Sequence, residues 1–171
     1  FKFDVTMTYK GEDTLSQKEQ DLNELQKDSR VKSATAMAVY HGFYADEGED
    51  KGIDLYVPQD VESLHTYISL RQRGSNEAIS LNNDGAVITE KIAKDKHLKV
   101  GDTFPIDNGD GVKKDVKIAA VTENYVGHIV YMTPSYYKSV YHKTPQSTGM
   151  FAIMRDSSEK DEQALGNAFM K

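Results

Sequence analysis

Apolar residues recur at every second position in several short runs of this chain, and turn signals separate the runs. That period of two commits much of the chain to strands with one buried face. Phe1, Phe3, Val5, Met7 and Tyr9 alternate with Lys2, Asp4, Thr6 and Thr8. A second strand is predicted from Val31 to about Tyr40, rich in Ala and Val, and a third over Ile53, Leu55 and Val57, which Pro58 ends. The acidic stretch from Asp46 to Lys51, with Gly48 and Gly52, predicts a solvated turn between them.

Helical spacing fills the gaps. Ser16 and Glu19 predict a capping box, in which each side chain satisfies a free backbone N–H at a helix start. Leu22 and Leu25 give that helix a thin apolar stripe, and Lys27 and Arg30 suit its C-terminal end. Asp60 predicts the cap of another helix, with Val61, Leu64 and Ile68 on one face. The order strand, helix, strand, strand, helix predicts an α+β fold, with helices on one side of a largely antiparallel or mixed sheet. Arg71 to Asn76, polar and holding Gly74, reads as a linker.

From about residue 77 the pattern changes. Asn82 to Gly85 predict a tight turn into the strand Ala86–Ile88, and Thr89 a cap for a short helix from Glu90 to about Lys96. Thr103–Ile106 and Val116–Val121 predict a hairpin across the turn Asn108–Gly111. Ile129–Met132 predicts a short strand. Thr133 and Pro134 predict a helix start, since Pro at the first helical position forfeits no intrahelical bond. Gly149–Met154 predicts a strand, and Ser158 with Asp161 caps a last helix carrying Leu165 and Phe169. These readings predict two lobes. Residues 1–76 with 131–171 form a mixed α/β lobe, and residues 77–130 form a β-rich lobe inserted into it.

Composition excludes several functions. Apolar residues at 38% allow a packed core, so global disorder is not expected. The net charge of -6 argues against a nucleic-acid partner, which clustered Lys and Arg would recruit, and against docking on an anionic membrane through a basic face. Cysteine is absent, which removes disulfides, thiolate metal sites and cysteine nucleophiles together. No apolar run approaches the length needed to span a bilayer. The chain opens on Phe1 and ends at Phe169, Met170 and Lys171, and so reads as a piece of something longer.

No catalytic or cofactor pattern emerges. His41, His65, His97, His128 and His142 lie far apart, without the short spacing that zinc ligands need. Neither a G-x-S-x-G elbow nor a Walker loop occurs. Asp107, Asp110 and Gly111 hint at a calcium loop, but the ligand spacing fails and a hairpin turn explains them. Glu47, Glu49 and Asp50 have no apolar surroundings to raise a carboxyl pKa and read as solvated charge. The expectation is a non-enzyme that binds no cofactor and no metal. Aromatics carry the remaining signal. Tyr131, Tyr136, Tyr137 and Tyr141 read as core at helical spacing. Tyr40, His41, Phe43 and Tyr44 flank Gly42, which is expected to interrupt the strand and let these rings project from a loop as a contact surface for partner or cargo.

Two stretches carry a family resemblance. Gly85–Phe104 (GAVITEKIAKDKHLKVGDTF) resembles a segment of the FtsX-like, MacB-type permeases of ABC transporters. Val121–Met132 (VTENYVGHIVYM), followed by Thr133 to Tyr137, is similar to the large Gram-positive members of that family. The resemblance covers residues 77–141 best and is compatible in pattern elsewhere. It implies a mixed α/β lobe near the membrane with a β-rich lobe inserted into it, as in MacB periplasmic domains. It further implies a soluble outer domain on the extracellular side of the cell membrane, moved by the transmembrane helices of its parent. A cytoplasmic ATPase, not touched by this segment, supplies the energy. The outer domain then serves a lipid, peptide or protein partner, and the parent works as a dimer or as a duplicated unit. A rival reading is a cell-envelope binding or sensory domain that transports nothing. Another is an enzyme with a site of converging carboxylates that the sequence does not reveal.

Overall fold

The fold is taken from a computed structural model that describes residues 1–9, 13–124, 127–156 and 159–169. The strands run β1 (Val5–Thr8), β2 (Val31–Asp46), β3 (Glu49–Pro58), β4 (Ala86–Thr89), β5 (Thr103–Asp107), β6 (Lys113–Thr122), β7 (Ile129–Tyr131) and β8 (Gly149–Met154). The helices are α1 (Leu15–Lys27), α2 (Leu64–Tyr67), α3 (Glu90–Lys96), α4 (Pro134–Tyr141) and α5 (Glu159–Phe169). One mixed sheet joins all the strands in the order β1-β8-β2-β3-β7-β4-β6-β5. Most neighbours are antiparallel, while β3–β7 and β4–β6 run parallel.

The sheet closes on itself at one end. A further pairing of Phe43 in β2 with Asp107 in β5 completes the circuit β2-β3-β7-β4-β6-β5. This is a six-stranded barrel, closed at the Asp107 end of β5 by that one pair. Alternation fills it: Ile53, Leu55 and Val57 from β3, Ala86 and Ile88 from β4, and Val116 and Ile118 from β6 share one buried cluster. Ile92 of α3 and Tyr137 and Tyr141 of α4 pack into the same cluster. Residues of opposite parity, Tyr56, Val87 and Tyr131, join a second cluster with Met37, Tyr67 and Phe151. The other end of the sheet is layered. Met7 of β1, Leu25 of α1, Ala34 of β2, Met150 of β8 and Leu165 of α5 form a third cluster, so the first strand and the last helix share one core.

Several local expectations change. The opening strand is shorter than its alternation suggests: pairing begins at Val5, and Phe1 is exposed, stacked on Phe3 and Tyr56. The α1 cap is Thr14, not Ser16, since the Thr14 hydroxyl accepts from the Gln17 N–H at 3.1 Å. Two overlapping cap patterns stand in this stretch, and choosing the earlier adds Leu15 and Ser16 to the helix. Strand β2 does not stop near Tyr40 but runs to Asp46. The turn after it shrinks to Glu47 and Gly48, with φ of 52° and 82°. A two-residue loop with both φ positive matches the twist of a hairpin, and Gly48 takes its conformation without a Cβ penalty. Asp60 caps no helix: α2 is a single turn with Ser63 at its N-cap, and only Leu64 and Ile68 of the predicted stripe are buried. Arg71–Asn76 is held as a turn, bridged by Arg71 and Ala78 and tied to the barrel through Arg71–Glu123 and Arg73–Glu90 ion pairs.

Between β4 and β8 the local readings hold except at Thr89, which stands at the α3 N-cap but makes no capping hydrogen bond, its hydroxyl donating to the Gly127 carbonyl instead. Strand β4 feeds α3, His97 ends it in the left-handed conformation, and a turn at Gly101 opens the β5–β6 hairpin. Thr133 caps α4 by accepting from the Tyr136 N–H at 3.0 Å, with Pro134 at the first helical position. Asp107 accepts the N–H groups of Gly109 and Gly111, which makes that segment a self-bonded turn. The expected cap at Ser158 lies outside the described residues, as do Tyr125 and Val126.

Candidate functional site

The four aromatic and imidazole residues singled out by sequence lie inside β2, not on a loop. Their alternation splits them between two faces. Tyr40 and Tyr44 turn toward the barrel interior, while His41 and Phe43 are exposed. Gly42 does not interrupt the strand. A Cβ at Gly42 would meet the Asp107 carbonyl, so glycine here lets β5 approach and close the barrel.

Tyr44 is core, which corrects its expected place on a contact surface. It is 1% exposed and packs edge-on against Phe104, with ring centroids 6.3 Å apart. Its hydroxyl is buried without a hydrogen-bond partner among the described residues, and desolvation raises the phenol pKa. Tyr40 is half-buried and stacked on Tyr137 at 5.2 Å. Its hydroxyl accepts from the Gln146 N–H at 2.9 Å and donates to the Gln146 carbonyl at 3.3 Å, tying β2 to the loop after α4. Desolvation pushes this phenol up to about 12.

The exposed pair forms a shallow recess. His41, Phe43, Gly52, Ile53, Asp54 and His128 line about 280 Å³ on the outer face of the hairpin. Phe43 is 45% exposed there, and His41 Nδ1 meets Asp54 Oδ1 at 2.7 Å. Nearby, Asp95 gathers His128, Lys91 and Lys51. Burial pulls the Asp95 pKa upward, but the hydrogen bonds from His128 and Lys91 and the charges of Lys91 and Lys51 outweigh it and hold the carboxyl below its ordinary value. The His41–Asp54 pair resembles part of a catalytic relay, yet no described residue offers a hydroxyl to the other ring nitrogen. Among the described residues no cluster of His and carboxylates could hold a metal ion. The recess can offer an aromatic ring beside a hydrogen-bonded imidazole, which suits surface recognition.

A second feature escaped the sequence reading. Between α1 and the 142–148 loop lies a cleft of about 290 Å³ floored by Ala36 and Ala38 of β2, with Val57 beside them. Leu15 and Leu22 form one wall, and Pro134 and Pro145 stand on the other side. The signal in the sequence was the alternation Ala34, Ala36, Ala38, which leaves one face of a central strand almost without side chains.

No protein-family model matches the chain, and no curated protein matches it by sequence. Solved structures do match by shape. The periplasmic region of MacB from Actinobacillus actinomycetemcomitans aligns at a TM-score of 0.51 and 14% identity, covering 95% of this chain and 80% of that one. The extracellular domain of the noncanonic ABC-type transporter YknZ from Gram-positive bacteria aligns at 0.52 and 17% identity, covering 94% and 87%. The fold is that of a MacB-type permease outer domain. This is the mixed α/β fold the resemblance implied. Among the described residues, no helix is long and apolar enough to cross a membrane. At these identities the match carries shape and no residue roles.

Proposed function

We propose that this chain is the extracytoplasmic domain of an ABC-transporter permease. It passes ATPase-driven movement of the parent's transmembrane helices to export, sensing or partner activation outside the membrane. The observation that carries this reading is the shared core of the first strand and the last helix, Met7 and Leu165 lying in one cluster. The first strand and the last helix lie in one layer, as a domain suspended between membrane helices requires. In this reading residues 1–76 and 131–171 form the membrane-proximal lobe, and residues 77–130 the inserted lobe that moves with it. The continuous sheet supports the reading, since a displacement at β1 and β8 reaches the barrel through β2, which pairs with both β8 and β3.

The energy source is a cytoplasmic ATPase acting through the parent, which works as a dimer or a duplicated unit. Catalysis is not part of the role. The outer face around His41 and Phe43, with Tyr40 holding the strand behind it, is the contact surface for a lipid, peptide or protein outside the cell.

The test uses spin labels at Val100→Cys, because Val100 is 61% exposed and the chain has no cysteine of its own. In the parent permease reconstituted with its ATPase, the distance between labels on the two copies is expected to shift between nucleotide-free and ATP-bound states. Identical distance distributions in both states would contradict coupling.

A further inference from the structure

Strand β3 pairs along its whole length with β2, but among the described residues β7 covers its other edge only from Asp54 to Tyr56. The Asp54 N–H donates to the His128 carbonyl at 3.0 Å, so the backbone of every second residue from there faces away from β2. Counting back toward the turn, those residues are Gly52 and Asp50. Both are exposed, and no described residue bonds to their backbone N–H or C=O groups. Two N–H and two C=O groups therefore stand open in line with β7, beyond its first residue. The edge is held in place from its inner side. Lys51 pairs with Asp46 at 2.7 Å and reaches Asp95 of α3 at 3.8 Å, while the Lys96 ammonium donates to the Ala45 carbonyl at 2.7 Å. An open strand edge is a template for another strand, and a fixed one binds with little ordering cost.

Chemistry narrows the occupant. A hydrocarbon tail leaves main-chain groups unbonded, whereas an extended peptide satisfies them. A second copy would bring two acidic edges together, and like charges directly opposite are destabilising. The exposed Glu47, Glu49 and Asp50 have no ion-pair partner among the described residues, and Lys51 is engaged with Asp46. The edge therefore complements a basic segment. Register places its side chains. In antiparallel pairing the residue opposite Gly52 exchanges both bonds with it, and the residue opposite Asp50 does the same. Residues directly opposite share a face, and positions 52 and 50 lie on the outer face with Phe43 and Ala45. The residue beside Gly52 projects toward the recess of about 280 Å³ where Phe43 is 45% exposed, with no side chain from Gly52 between them.

We propose that the Asp50–Gly52 edge of β3 takes an antiparallel peptide strand, with an apolar residue beside Gly52 and Lys or Arg two positions later beside Asp50. This rests on the outer face being the contact surface, and it names the partner of that face as a peptide.

Amide NMR titration of the chain with the end-capped pentapeptide TVTKT tests the assignment. Saturable shifts are expected at the Gly52 and Asp50 amides, with slower exchange of both. Methylating the valine nitrogen removes the donor to the Gly52 carbonyl and should weaken binding about tenfold. Asp50→Lys, at an exposed position, should weaken TVTKT about fivefold, the scale of an exposed ion pair replaced by a like-charge contact. The same variant should bind TVTET more tightly than the original chain does. No saturable shift at millimolar TVTKT would overturn the proposal, as would equal affinity after methylation or in Asp50→Lys. Phosphatidylcholine vesicles that shift Phe43 while the peptide shifts nothing would overturn the strand but keep the contact face. Silence toward both would remove the face as well. Gly52 shifts that grow with chain concentration alone would assign the edge to a second copy and overturn the proposal.

Discussion

Replacing Gly42 by Ala is expected to lower the stability of the chain by about 3 kcal/mol, whereas Gly52→Ala should leave it unchanged or raise it by about 0.5 kcal/mol. The two glycines lie in the same hairpin, Gly42 opposite Ile53 and Gly52 opposite Phe43. Their surroundings differ completely. A Cβ at Gly42 would strike the Asp107 carbonyl, a backbone atom that can retreat only by moving β5. A Cβ at Gly52 would meet nothing within 4 Å. Because the β2–β5 pairing at Phe43 and Asp107 is the seam that closes the barrel, the cost at Gly42 includes loosening that seam. Urea unfolding of both variants checks this. Equal midpoints would mean that β5 does not close on β2.

The second large effect concerns Tyr44. Tyr44→Ala is expected to cost about 4 kcal/mol, the scale of removing an aromatic ring from a packed core. Tyr44→Phe should be neutral or stabilising by about 1 kcal/mol, since it removes a buried hydroxyl that has no partner among the described residues. Phe43→Ala, one residue away on the outer face, should change stability by about 0.5 kcal/mol at most. Thermal unfolding of the three variants separates a core Tyr44 from a surface one. A mild Tyr44→Ala together with a severe Phe43→Ala would reverse the facing of β2 and undo the assignment of Phe43 to the contact face.

The parts of the fold that were legible depend on neighbours in sequence. Strand β4, helix α3, the β5–β6 hairpin and the Thr133 cap of α4 each follow from residues a few positions apart, and all appear as read. What escaped depends on distant partners. Gly42 looks like a strand breaker until the Asp107 carbonyl is brought against it, and only then does the run from Val31 to Asp46 make sense as one strand. Parallel pairing of β3 with β7 and of β4 with β6 leaves no local trace. At α1 two cap patterns overlapped, and the sequence offered no way to prefer Thr14. The facing of residues 40–44 was only half legible for the same reason. Their composition marked an unusual place, but which rings face outward depends on register, and a strand sends neighbours to opposite faces. The cleft was not read because its floor is defined by small side chains, and the residues that wall it come from α1 and the 142–148 loop, far apart in sequence.

The central proposal is that this domain stands outside the membrane as part of a permease. Labelling Val100→Cys in the parent with a membrane-impermeant maleimide tests it most directly, with no other cysteine in the domain to confuse the signal. Intact cells are expected to label as completely as lysed ones. Labelling that appears only after lysis would put the domain inside the cell and contradict the account.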